Sequence, residues 1–379
     1  MSGPIRVLHL FDASARWEQR VGATQLIEKL PPGRFASYWA TLDPHTRHLL
    51  DRGDRRMDCV STIRGSDALA APRLVDRIER DNIGLIHAWG VQAAVVAAQA
   101  GTPAPIVVEL FDPGVSDLDS KKLRSIMPIA RLALACTSGT VQRRLVEKGV
   151  AADRCVVIRP GVDFARINAA RKRPLRQALN VDEDARVFLT AEPATRGGGQ
   201  MAAFWSLGVR SFLKTPQAEV LIVPGCSVEQ ARIARLARQL KLGACLRCPG
   251  TAVPFEDLIA VADGLLLPSS SDVPTTAIAW AMAAGAPVVG SAVFATAELI
   301  AHKHNGLLIK PAPVRSMALK LAALLDDCDT LIRLADTARG QAFEVFSIRR
   351  YVDQHTRLYD NLLVNQCPAE GITDAALVN

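Results

Sequence analysis

Short apolar runs and longer helical patterns alternate from one end of this chain to the other. A chain ordered in that way folds into parallel sheets with helices on both faces. RVLHLF (6–11) reads as a first strand, followed by a helical pattern through TQLIEKL (24–30). The amphipathic run LAAPRLVDRIERD (69–81) leads into IGLIHAW (83–89) as a strand. PIVVELF (105–111), ARLALAC (130–136) and CVVIRPG (155–161) complete the first set, with a helix over 138–149 that Ser138 is placed to cap.

The alternation pauses at 162–185, VDFARINAARKRPLRQALNVDEDA, which is polar and basic and reads as an exposed connection. A second set follows. Its predicted strands are 186–192, 218–225, 244–250, 263–270, 287–291 and 306–309; its helices are 198–213, 227–240, 254–261 and 275–284, with more up to 364. A length of 379 residues suits two such domains. The expected boundaries are 1–165 for the first, 166–345 for the second, 346–364 for a closing helix and 365–379 for a disordered tail. In the closing helix, Ile348, Tyr351, Val352, His355, Leu358, Tyr359 and Leu362 form one apolar stripe.

The stretch DVPTTAIAWAMAAGAPVVG (272–290) reads as a crossover helix buried nearly all round. Gly285 can adopt the positive φ that ends it, and Pro287 prevents its continuation into the next strand.

Apolar residues make up 49% and charged residues 22%, a soluble α/β composition, and the net charge of +7 suits an anionic ligand or an anionic membrane surface without requiring either. The eight cysteines are scattered behind an amino terminus with no leader pattern, so free, buried thiols and a cytoplasmic location are expected, with peripheral contact at the inner membrane face left open. Cys245 and Cys248 have CxxC spacing but no second pair to complete a zinc site. No apolar run reaches the roughly 20 residues a membrane-spanning helix needs.

Ligands of open parallel sheets bind beyond the carboxyl ends of the strands, at helix amino termini. Two loops of the second set are suited to an anion. AEPATRGGGQ (191–200) offers the charged fork of Arg196 and a close backbone approach at Gly197 and Gly198. PSSSDVPTT (268–276) offers hydroxyls, Thr275 and Thr276 among them, at the entrance to a helix. Residues 197–202 also match a loose dinucleotide fingerprint, but the acid expected about twenty residues on is missing. No Walker, HExxH or GxSxG motif occurs. His87, at a strand end, is a candidate contact on the acceptor side or a structural histidine.

Three segments together resemble family 4 glycosyltransferases: residues 262–311, residues 137–167 with their Pro-Gly-Val-Asp end, and the closing FSIRRYVDQHTRLYDNLL. The resemblance runs over roughly residues 5 to 364. It implies the GT-B fold, two Rossmann-like domains with parallel sheets facing a central cleft. It further implies a nucleotide-sugar donor in the second domain, an acceptor at the first, retention at the anomeric carbon, and no cofactor or obligatory metal.

Position by position the match is uneven. Of the family's two glutamates spaced eight apart, Asp272 stands at the first place and Trp280 at the second. Glu192 stands where the family has a diphosphate-binding arginine, Arg196 falls near its lysine, and Phe111 and Asp112 stand where a histidine often follows the strand. DASARWEQRVGA (12–23) replaces a glycine-rich loop, whereas Glu298 matches. The expected donor contacts are therefore Arg196, Gly197, Gly198, Asp272, Thr275, Thr276, Trp280 and Glu298, with Trp280 either stacking on the donor or filling the core, and Asp112 as the first-domain acid. Two accounts stay open. The chain is an active transferase with altered donor contacts, or it has kept the fold and lost the reaction, acting as a scaffold in a polysaccharide pathway. A nucleotide-sugar epimerase is a third.

Overall fold

A computed structural model describes residues 3–12, 17–43, 58–59, 70–111, 116–191, 199–212, 218–225, 227–250, 253–270, 275–365 and 367–374. The chain divides into two compact units, Met1–Gly161 with Ile348–Ala375, and Val162–Ser347 with Ala376–Asn379.

The first unit is built on seven parallel strands: β1 (Ile5–Phe11), β2 (Phe35–Thr41), β3 (Asp58–Cys59), β4 (Leu85–Trp89), β5 (Ile106–Leu110), β6 (Leu132–Cys136) and β7 (Cys155–Val157), in the spatial order β3-β2-β1-β4-β5-β6-β7. The sheet is buried on both faces. One core layer gathers Leu8, Leu10, Leu74, Ile86 and Val108. The other gathers Val7, Phe11, Leu85, Trp89 and Val107 with Tyr351, Leu358, Tyr359 and Leu362 of the helix Ile348–Leu363. The stripe read from the sequence is the face that this helix buries. Ser138 caps the helix Gly139–Glu147 as expected, its hydroxyl accepting from Val141 N at 3.1 Å.

β2 and β3 have no counterpart in the sequence reading. FASYWAT (35–41) carries the strand-favouring Phe35, Tyr38, Trp39 and Thr41 but no apolar–polar alternation, so it lacks the periodic signal of a half-buried strand. It becomes one by pairing in register with the whole of β1, from Ile5↔Phe35 to Phe11↔Thr41.

The second unit has six parallel strands: β8 (Arg186–Leu189), β9 (Glu219–Ile222), β10 (Leu246–Arg247), β11 (Gly264–Leu267), β12 (Val288–Ser291) and β13 (Leu307–Ile309), in the order β10-β9-β8-β11-β12-β13. All six expected strands are present, each shorter than its apolar run. The helix Thr275–Ala284 has every residue buried, and Gly285 ends it at φ 69°.

Three expectations are corrected. Residues 162–185 are largely exposed, as expected, but they are part of the second unit and not an irregular link before it. They form the helices Phe164–Arg171 and Leu175–Ala178, and their arginines are used within the unit. Arg173 pairs with Asp257, Arg176 donates to Asp263 at 3.1 Å and to the Ala185 carbonyl at 2.7 Å, and Arg171 donates to the Ala284 carbonyl. Residues 367–374 of the tail pack within the first unit. Arg159 grips Asp374 with two hydrogen bonds of 2.8 and 3.0 Å, and Gln354 donates to the Thr373 carbonyl at 2.7 Å. Not all the thiols are buried: Cys136 and Cys155 are, but Cys248, Cys328 and Cys367 are exposed.

Candidate functional site

Both strand orders reverse direction once, between β1 and β4 in the first unit and between β8 and β11 in the second. At such a switch point the loops after two neighbouring strands lead away to opposite faces and leave room for a ligand.

In the second unit the loop after β8 enters the helix Gln200–Phe212, and the loop after β11 enters the helix Thr275–Ala284. Gly199 closes the first loop against the second: a Cβ there would stand 2.6 Å from the carbonyl carbon of Pro268. Two helix amino termini, with the partial positive charge such ends carry, thus start from adjoining loops.

Thr275 and Thr276 open the second helix with fully or nearly fully buried side chains. Neither hydroxyl has a hydrogen-bond partner among the described residues, and the same holds for Thr190, just after β8, and Thr296, just after β12. Leaving a buried hydroxyl unpaired costs about 1–3 kcal/mol. Four of them lie along one edge of one sheet, which marks that edge as more than packing. Thr190 and Thr296 were missed in the sequence because a lone threonine after a strand carries no motif. Glu298 is half-buried on the helix Phe294–Leu299 at the same edge.

Trp280 lies on the helix Thr275–Ala284 with 0% exposure, and no acceptor among the described residues reaches its Nε1. Its position is that of a core-filling indole. Arg196, Gly197, Gly198, Asp272 and Asp112, together with Glu192, lie outside the described residues.

In the first unit the switch point holds Asp12, which follows β1, over Gly90, which follows β4. The Asp12 carboxylate accepts from Ala93 N at 2.6 Å in the first turn of the helix Val91–Gln99, and so caps a helix that Gly90 cannot cap itself. A Cβ at Gly90 would collide with that carboxylate. Burial raises the Asp12 pKa from 3.8 to about 6, partly offset by the hydrogen bond from Ala93. Asp12 begins the segment that replaces the family's glycine-rich loop, and the sequence reading gave it no role.

His87 takes the place of a structural histidine. It is fully buried in β4, with Nδ1 2.7 Å from the Tyr359 hydroxyl, and burial lowers its pKa to about 4. A cavity of about 680 Å³ in the second unit lies at the opposite, amino-end edge of the sheet, lined by Arg171, Arg176, Arg186, Asp263 and Gly285 among others. Arg176 is paired with Asp263 and Arg186 with Glu219, so the cavity presents little free charge.

The family model described as glycosyl transferases group 1 matches residues 207–327, most of the second unit. Over that stretch the chain is similar to the group 1 glycosyl transferases. It is 26% identical over 271 residues to D-inositol 3-phosphate glycosyltransferase of Thermobispora bispora, a match covering 68% of this chain and 60% of that protein. It is also 26% identical over 157 residues to N-acetyl-alpha-D-glucosaminyl L-malate synthase of Bacillus anthracis, covering 41% of each. The matched stretches thus span less than two thirds of these relatives' lengths.

Among solved structures, a glycosyltransferase from Rickettsia africae superposes with a TM-score of 0.77 at 17% identity, over 96% of this chain and 100% of that one. Anabaena HepE, solved in complex with UDP and glucose, gives 0.77 at 20% identity, over 94% and 100%. The chain therefore has the GT-B fold of two Rossmann-like units. No helix among its described residues is long and apolar enough to cross a membrane.

Proposed function

We propose that this protein is a retaining glycosyltransferase, with a nucleotide-sugar donor bound at the carboxyl edge of the second unit. The observation that carries the reading is the junction of Gly199 with Pro268 at the β8–β11 switch point, where two helix amino termini and the unpaired Thr275 and Thr276 hydroxyls collect. The family match over residues 207–327 supports it, as does the donor nucleotide held by a protein of the same fold.

In this mechanism the bond from the anomeric carbon to the diphosphate breaks as the acceptor oxygen bonds to the same face of that carbon, and the acceptor hydroxyl's proton passes to the departing diphosphate oxygen. Negative charge grows on the departing nucleoside diphosphate. Arg196 and the amides of Gly197 and Gly198 stabilise it, because fixed donors aimed at developing charge need no reorganisation. Asp272 and Glu298 hold the sugar and ribose hydroxyls. Acceptor recognition falls to the first unit, with Asp112 as its acid. The transfer runs without a cofactor.

A thermal-shift panel of UDP, GDP, ADP and their sugars tests this. A donor at 100-fold its dissociation constant stabilises by about 2.7 kcal/mol, a rise of several degrees in the midpoint. A shift confined to one base supports the proposal and names the donor. No shift with any of them overturns it and leaves the scaffold reading. Product analysis without acceptor separates transfer from epimerisation.

A further inference from the structure

His87 on β4, Glu109 on β5 and His355 on the helix Ile348–Leu363 meet inside the first unit, all at 0% exposure. His87 Nε2 and His355 Nε2 stand 3.5 and 3.0 Å from the same Glu109 oxygen, Oε2. The cluster offers one donor atom from each residue, all within 4.8 Å of one another.

The far side of each ring is fixed. His355 Nδ1 lies 2.9 Å from the Tyr351 carbonyl oxygen, which can only accept, so Nδ1 carries a proton and Nε2 faces the carboxylate. The Tyr359 hydroxyl engages His87 Nδ1 and turns Nε2 of that ring the same way. Inside the cluster the accounting does not close. His87 Nε2 and Glu109 Oε1 have no hydrogen-bond partner among the described residues. The Tyr351 hydroxyl faces the same carboxylate and is also without one. Fully buried polar atoms left in that state are rare and call for an explanation.

We propose that His87, Glu109 and His355 form a structural site for a divalent transition-metal ion, with zinc as the ion of choice. Two imidazole nitrogens and a carboxylate oxygen are a zinc ligand set, and a hydrogen bond on the distal nitrogen of each imidazole is the usual support for such ligands. Tetrahedral ligands about 2.1 Å from zinc lie about 3.4 Å apart, a spacing that the 3.0 and 3.5 Å separations bracket. Tyr351 is the side chain at hand for the fourth position.

Glu109 and His355 are 246 residues apart, so the ion ties the closing helix to the centre of the first sheet. It takes no part in transfer, and the proposal does not depend on the donor site of the second unit.

The test uses the full, untagged chain, unfolded with chelator and refolded with zinc, because the site admits no ion once closed. The expected result is about one zinc per chain by elemental analysis and a thermal midpoint several degrees above that of chain refolded with chelator. Glu109→Gln and His355→Gln keep side-chain volume and should lower retained zinc by about tenfold or more. Should either variant fail to fold, zinc-edge X-ray absorption of the wild-type chain decides. Two imidazoles and a carboxylate in the shell support the site, and a thiolate shell overturns it. Wild-type chain that refolds with excess zinc yet holds none, at an unchanged midpoint, also overturns it and makes the cluster a proton-sharing core network.

Discussion

Gly199 and Pro268 are in such close contact that a single methyl group on the glycine would reach within 2.6 Å of the proline's carbonyl carbon. The neighbour is backbone and cannot swing aside. Gly199→Ala must therefore part the two loops. It should weaken binding of the nucleoside diphosphate identified by the thermal panel and destabilise the second unit by about 1–3 kcal/mol. Calorimetry and urea denaturation measure the two effects. Wild-type affinity in this variant would detach the junction from the donor site.

Arg196 is the one full positive charge assigned to the departing diphosphate. Arg196→Ala is expected to weaken that same nucleotide by about 1.5–3 kcal/mol, the range for a hydrogen bond to a charged group. Unchanged affinity by titration calorimetry removes the residue from the site.

Trp280 combines complete burial with an indole N–H that no described acceptor reaches. Trp280→Phe loses volume but also removes the unpaired donor, and these effects offset, so the change in stability should stay within about 1.5 kcal/mol. Trp280→Ala should cost about 3–5 kcal/mol. If the phenylalanine variant is stable yet binds nucleotide tenfold more weakly, the indole belongs to the donor site and not to the core.

Asp12 sets a pH dependence. Its carboxyl titrates at 3.8 when exposed and at about 6 in the folded chain, because burial disfavours the charged form. Between those values the folded state binds more protons than the unfolded state, so stability contributed by Asp12 is present below pH 4 and lost as pH rises to about 6. Asp12→Asn removes the titration and leaves an oxygen to accept from Ala93 N. Unfolding free energies measured at pH 4 and 7 should show the difference between variant and wild type changing by about 2.4 kcal/mol in favour of the variant. A difference that stays constant with pH refutes the assignment.

Much of this was legible in the chain itself. The crossover helix Thr275–Ala284, the positive φ of Gly285, the Ser138 cap and the apolar stripe of the last helix each follow from local pattern, because each is enforced by residues within a few positions of one another. The loops after β8 and β11 were found for the same reason: a glycine run or a hydroxyl cluster before a helix is a local signal.

What failed was what depends on distant partners. β2 exists because β1 offers it a full ladder, and residues 162–185 join the second unit because Asp257 and Asp263 take up Arg173 and Arg176. Cysteine exposure and the packing of the tail are likewise set by neighbours far along the chain.

The sequence by itself determined two parallel α/β units and the chemistry of their loops, since period, caps and breakers act over a few residues. Only the tertiary structure decided that Asp12 caps a helix some eighty residues on, that Gly199 meets Pro268, and that His87 joins Glu109 and His355 in the interior. Those contacts come from strand order, and strand order is fixed when whole faces are buried together rather than by any short run of residues.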